Sequence, residues 1–155
     1  MRSVPTRLIL VLALAAAAGF ACGEVARDNP MDPSVSGGLT LRDQLIGSWS
    51  REEAQANEVY TFKVDGRAER KIYSSPSGGE VDRNAPYPAT RVRVYEGTFG
   101  LEGSLLKISF TRASSNDPGD SVSPPSTLQQ VTITISRNTL TLNEAGGKVH
   151  YTRYL

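Results

Sequence analysis

One cysteine, one histidine and one tryptophan among 155 residues leave little for side-chain chemistry to work with. A lone thiol excludes an internal disulfide framework and a zinc site built on cysteines. The lone histidine, His150, has no serine or cysteine nucleophile set beside it by any motif, and on a late strand face it reads as structural. No HExxH or GxSxG occurs, and "AGGKVH" lacks the upstream glycine and the Ser/Thr of a phosphate loop. Catalytic residues, a metal and a cofactor are therefore not expected, and the chain does not read as an enzyme. An excess of one charge is missing too. With 17 basic and 16 acidic side chains the net charge is +1, which gives no polyanion-binding footprint, so nucleic acid is not an expected partner. Finally, no apolar run is long enough to cross a bilayer as a helix. The longest, Leu8 to Ala21, has fourteen residues; at 1.5 Å each it reaches about 21 Å of a hydrocarbon core ~30 Å thick.

What is present begins with that run. Arg2 and Arg7 precede it with no acid among them, and small residues close it, which is the pattern of an export signal over residues 1–21. The cysteine follows at once, in "AGFAC". An exposed unpaired thiol is a liability in an oxidising compartment, and this stretch resembles the bacterial lipoprotein lipobox, with Ala21 in the small position before Cys22. The resemblance implies that Cys22 becomes a lipidated N-terminus, anchored by acyl chains at ~0.8 kcal/mol per buried CH₂. An ordinary secretory signal that leaves Cys22 a free thiol is the alternative. Gly23 is not the Asp that favours inner-membrane retention in such lipoproteins, so the resemblance implies the bacterial cell envelope, outer membrane over inner. Loss of residues 1–21 would leave 15 basic and 16 acidic side chains. Residues 22–38, with two prolines, three glycines and almost no large apolar side chain, read as a flexible tether, with an r.m.s. reach of roughly 20–24 Å. Asp28, Asn29 and Asp32 lack EF-hand spacing and belong to that tether.

Residues 39–155 read as one folded domain. Thr40 followed three residues later by Asp43 imitates a capping box, Leu41 and Leu45 lie one turn apart, and Gly47 can stop a helix of one or two turns. Beyond it the helical period gives way to short alternating runs, with strands expected near 48–53, 58–65, 67–74, 91–99, 104–112, 128–136, 139–143 and 148–154. Asp65-Gly66 is a strong hairpin signal, and "LEGS" and "SRNT" supply two more tight turns. Tight turns thus follow the even-numbered strands and longer connections the odd-numbered ones. In an up-and-down meander this puts all the tight turns at one end. Eight antiparallel strands can close into a barrel that leaves no exposed edge.

"LIGSW" entering the first strand resembles the GxW opening of the lipocalin superfamily, with Gly47 and Trp49 in the motif positions. "YTRY" resembles that superfamily's last strand, and "YEGTF" with "SLLKISF" is similar to short bacterial lipocalin-like lipoproteins. The resemblance covers roughly residues 39–155 and implies an all-β, eight-stranded up-and-down antiparallel barrel with a short N-terminal helix at its closed end. It also implies that Arg153 packs across Trp49 to close that end, and that a small, largely apolar molecule is bound.

Alternation gives an inward set: Tyr60, Phe62 and Val64; Leu106, Ile108 and Phe110; Val131, Ile133 and Ile135; Leu140 and Leu142. Tyr60, Phe62, Tyr95, Phe110, Val131 and Ile133 are the candidate ligand-lining residues, although a small barrel also fills itself with side chains. In "RVRVYEGTF", strict parity puts Arg91 and Arg93 on the face of Tyr95 and Phe99, near the mouth, as a candidate anion contact. A bulge at Gly97 would instead turn Val92 and Val94 inward. Arg67, Arg70 and Lys71 add basic charge nearby, but Glu69, Glu80 and Asp82 are interleaved with them, so a solvated mixed surface is the reading preferred over an anion contact. Loops 75–90 and 113–127 are expected to flank ligand access. The expected partners are a membrane, through the anchor, and a small hydrophobic ligand, with the chain a monomer. The alternative is a filled barrel serving as a structural or protein-interaction module of the envelope.

Overall fold

A computed structural model describes residues 39–52 and 56–154. The export segment 1–21, Cys22 and the tether to residue 38 lie outside the described residues. The first element, α1 (Leu41–Leu45), is held by the capping box: the Asp43 backbone N–H donates to Thr40 Oγ1, and Asp43 Oδ2 accepts from the Thr40 backbone N–H, each at 3.1 Å. The Thr40 hydroxyl also donates to that carboxylate at 2.6 Å, which holds the Asp43 carboxyl below its ordinary range. Such a cap contributes about 1 kcal/mol. Its one fully buried residue is Leu45.

The helix leads directly into β1 (Gly47–Glu52), β2 (Ala56–Phe62), β3 (Arg67–Ser74), β4 (Arg91–Glu102), β5 (Leu105–Ser115), β6 (Gln129–Ser136), β7 (Thr139–Glu144) and β8 (Gly147–Tyr154). Each strand pairs antiparallel with the next, and β8 returns to β1 through Tyr154↔Ser48, Arg153↔Trp49 and Thr152↔Ser50, closing the barrel. The tight turns at 63–66, 103–104 and 137–138 share one end with α1 and the start of β1. The opposite end is more mixed than the sequence suggests. The β3–β4 and β5–β6 connections are long, whereas β7 and β8 are joined by Ala145 and Gly146 alone.

Three further expectations are corrected. β2 ends at Phe62, so Val64 sits in the hairpin turn and is 80% exposed rather than inward. The turn closes earlier because Lys63 bonds across to Arg67 and the Gly66 N–H donates to the Lys63 carbonyl. β4 and β5 each end three residues later than expected, at Glu102 and Ser115, and their pairing up to Arg93↔Ser115 makes a hairpin that continues above the β5–β6 seam. That seam is paired only from Leu105↔Thr132 to Ile108↔Gln129. The register between β4 and β5 does shift beside Gly97, but the extra residue lies on β5: Glu96 faces Arg112 and Gly97 faces Phe110, leaving Thr111 unpaired. Parity on β4 is therefore uninterrupted. Gly97 serves a different purpose, since a Cβ there would lie 1.9 Å from the Ser109 carbonyl oxygen.

Candidate functional site

With β4 in strict alternation, the inward faces of all eight strands can be followed from one end to the other. At the tight-turn end they are sealed. Leu45, Trp49, Leu106, Ile133 and Leu140 have no exposed surface, and Phe62 is 1% exposed. The Trp49 indole N–H donates to the Leu45 carbonyl at 2.8 Å, so α1 and β1 share the base of the core. Arg153 lies with its guanidinium 4.3 Å from the centre of the Trp49 ring and donates to the carbonyls of Gln44 (2.7 Å) and Ile46 (3.1 Å). It therefore satisfies carbonyls left open at the helix end as well as covering the indole. Gly47 adopts φ +124°, and a Cβ there would come within 2.9 Å of Arg153 Nη1, so both backbone freedom and the close approach require glycine. Arg42 covers Phe99 in the same way from the helix, at 5.0 Å.

One layer higher the interior turns polar. Glu58, two residues before Tyr60 on β2, and Arg70, the cross-strand partner of Tyr60 on β3, form an ion pair inside the barrel. Tyr151 donates to the other Glu58 oxygen at 3.1 Å, and Tyr60 donates to Gln129 Oε1 at 3.4 Å. The Arg70 guanidinium rests 5.5 Å from the Tyr60 ring centre. Burial pushes both phenols well above the ordinary tyrosine range, with the Glu58 carboxylate adding to the effect on each, so both remain neutral hydrogen-bond donors. The layer is not sealed: the Glu58 and Arg70 side chains are 14% and 27% exposed. The sequence singles out neither Glu58 nor Gln129 and reads Arg70 as part of a mixed solvated surface, although the same alternation that turns Tyr60 inward also turns Glu58 inward.

Of the candidate lining residues, Phe62 and Ile133 belong to the packed base. Tyr60 stacks on Phe62 with ring centres 5.8 Å apart, Phe62 meets Phe99 edge-on at 5.1 Å, and Tyr60 meets Tyr151 edge-on at 5.5 Å. Val131 and Phe110 are buried above them, and Tyr95, partly exposed, lies 5.9 Å from Phe110. Arg91 and Arg93 do share the inward face with Tyr95, but each already holds a carboxylate from the β5–β6 loop. Arg91 pairs with Asp117 at 3.0 Å, and Arg93 takes both oxygens of Asp120 at 2.7 and 2.8 Å. The hydrogen bonds from Arg93 hold the Asp120 carboxyl down to about 2. The candidate anion contact is thus met by the chain itself, and these two pairs pin loop 116–128 to the rim. Part of the other long loop lies away from the rim: Arg83 is on the outer wall, over Tyr73 and Tyr154. At the rim the two long loops meet, Asn116 Nδ2 donating to the Thr90 carbonyl at 3.0 Å and Tyr87 hydrogen-bonding Asp117.

His150 faces outward, with Nδ1 3.0 Å from Thr141 Oγ1. Among the described residues, no group of three or more His, Cys, Asp or Glu side chains could hold a metal ion.

Fold and interior together define a closed, eight-stranded up-and-down antiparallel barrel, packed at one end and polar and partly open towards the other. No protein-family model matches the chain, and no curated protein matches it. Among solved structures, a lipocalin-like protein from Bacteroides uniformis is similar over 72% of this chain and 99% of that one, at 16% identity and a TM-score of 0.43. A likeness at that level carries no argument about function.

Proposed function

We propose that the chain is an exported, lipid-anchored binding protein of the lipocalin type, and that the open half of its barrel receives a small, largely apolar molecule. The single observation that carries this reading is the gradient along the inward face. Side chains at the tight-turn end are excluded from water, whereas Arg70, Ile72, Arg93 and Tyr95 point inward and stay partly exposed. An inward-facing surface that water still reaches is one that a ligand can dry. Tyr95 and Phe110 supply apolar wall. Arg70, Tyr60 and Tyr151 supply a few polar groups that orient what enters, the usual make-up of a small-molecule site. The short β5–β6 seam extends this opening down one side, next to Phe110. Gly47, Trp49 and Arg153 support the lipocalin kinship, and the motif before Cys22 supports the anchor and an envelope location. Catalysis is not part of this reading.

The test is titration of the chain, expressed from Gly23 onward, with apolar fluorescent probes. Stoichiometric binding that Tyr95→Ala and Phe110→Ala weaken about tenfold or more supports the reading, tenfold being ~1.4 kcal/mol of lost contact. Absence of binding, or binding indifferent to both, removes it. The anchor is tested separately by intact mass: the mature chain should begin at Cys22 and carry a diacylglyceryl group. A filled barrel acting as an interaction module is the second reading. It is favoured by the mutual packing of Tyr60, Phe62, Phe99 and Tyr151, which occupies the lower interior.

A further inference from the structure

The outer wall of the barrel carries a crevice of about 530 Å³, between Glu52, Asn57 and Tyr154 on the strands and residues 80–84 of the β3–β4 loop. Arg83 forms its base. This side chain is only 12% exposed. Its Nε donates to Asn57 Oδ1 at 2.9 Å, and the guanidinium lies over two rings, Tyr73 at 5.6 Å and Tyr154 at 5.2 Å. Two rings and an amide hold the cation in place, which makes it a fixed part of the wall and unlike an ordinary surface arginine. Nevertheless Nη2 is buried with no hydrogen bond. The facing carboxylate, Glu52 Oε1, stands 3.4 Å away on a side chain that is 73% exposed. Nη2 thus has an ion pair with an exposed carboxylate and no hydrogen bond, so it favours a partner that supplies one.

We propose that this crevice binds a small saccharide, independently of what the barrel interior holds. The choice of ligand follows from which groups donate and which accept. Glu52, Glu80 and Asp82 accept, Arg83 donates, and Asn57 and Asn84 can do both. A phosphate or sulfate would meet three carboxylates for one guanidinium. A bare cation would sit against the guanidinium. An apolar molecule would strip water from all of these groups and return no hydrogen bonds. A hydroxyl gives and takes at once, so a polyhydroxylated ring satisfies both kinds of wall. Its oxygens accept from Arg83 and the asparagine amides while its hydroxyl protons go to the carboxylates. Tyr154, 46% exposed, offers a ring surface for the less polar face of the sugar. The volume falls in the range of small-ligand sites. Because Glu52 is exposed, its carboxylate can shift to accept from a ligand hydroxyl while a ligand oxygen takes its place beside Nη2.

The experiment presents the purified full chain with neutral and acidic mono- and disaccharides, with inorganic phosphate and glycine as comparators, followed by amide NMR shifts and calorimetry. The expected result is saccharide binding that moves the amides of residues 80–84 and Tyr154 and leaves those of Tyr60 and Tyr151 in place. Asn84→Ala and Glu80→Gln, at exposed positions that leave the barrel wall intact, should each weaken binding about three- to tenfold, the loss of one hydrogen bond. Arg83→Gln should abolish it; if that variant unfolds, the two rim variants decide. No saccharide binding, binding that shifts the interior amides instead, or preferential binding of phosphate or glycine in the crevice would each overturn the proposal. None of these outcomes depends on whether apolar probes bind the open end.

Discussion

At the tight-turn end of the barrel Leu45, Trp49, Leu106, Ile133 and Leu140 are wholly buried, whereas at the loop end the inward-facing Arg70, Ile72, Arg93 and Tyr95 keep part of their surface in water. Both sets occupy the same face of the same strands, so alternation alone does not distinguish them. The difference is closure. At one end α1 inserts Leu45, Trp49 hydrogen-bonds the helix, and Arg153 covers the indole and caps the helix carbonyls. At the other end nothing equivalent is inserted among the described residues. Two arginines on the rim are tied to aspartates of one loop, and the second long loop covers the outer wall at Arg83 before meeting the first at Thr90 and Asn116. The barrel is thus packed at one end and reached by water at the other, and the less packed end is where local opening is expected to be easier.

The sharpest way to break the comparison is Trp49→Ala. It removes the largest fully buried side chain and its bond to Leu45, and should cost about 3–5 kcal/mol in urea unfolding. An effect below ~1 kcal/mol would mean the base is not the stable end. Next comes the polar layer between the two ends. Glu58→Gln removes the partner charge of Arg70 and weakens the bond from Tyr151. Because water reaches Arg70, the loss should be about 1–3 kcal/mol, less than for a sealed pair. The double variant Glu58→Met with Arg70→Met should recover most of it; failure to do so would mark the layer as more than a tolerated ion pair. Arg153→Ala should cost about 1–2 kcal/mol and shift the emission of Trp49, whose ring it covers. An unchanged spectrum would count against the stack.

The smallest effect belongs to the open rim and is read by pH. Asp120 titrates at about 2 when folded, held there mainly by its hydrogen bonds from Arg93, against 3.8 ordinarily. A group depressed in this way contributes its full share above about pH 4, and that share fades as pH falls through 2. Protection of the amides in loop 116–128, taken relative to their intrinsic exchange at each pH, should therefore fall between about pH 4 and 2 while the amides around Trp49 hold theirs. Asp120→Asn should make the loop exchange rapidly at neutral pH as well. Equal loosening at both ends would erase the distinction.

Much of the fold was legible because its signals are short-range. Strand alternation, Asp65-Gly66, the Thr40–Asp43 cap and the order of turns each depend on residues a few positions apart, and they placed eight strands and one helix turn close to where they lie. Val64 was misjudged because a hairpin that closes at Lys63 looks, in sequence, like one more alternating position. The site was read less well. The apolar candidates Tyr60, Phe62, Phe110, Val131 and Ile133 followed from parity, but parity does not say how deep in the barrel a residue sits. The polar layer was missed because a charged residue in an alternating strand is ordinarily assigned to solvent, and Glu58 becomes an interior residue only once Arg70 and Tyr151 stand opposite it.

The sequence by itself determined the local matters: where the chain turns, which side chains share a face, and that Gly47 and Trp49 open the first strand. The tertiary structure alone decided which distant groups meet. Arg91 and Arg93 found carboxylates 26 and 27 residues away, and Glu58 found a tyrosine 93 residues on. It also decided that the extra residue beside Gly97 lies on β5, which keeps both arginines inward. The reason is physical. Periodicity and turn chemistry act over a few bonds, whereas depth, pairing and loop placement are fixed only when strand eight closes against strand one and every register becomes mutually dependent.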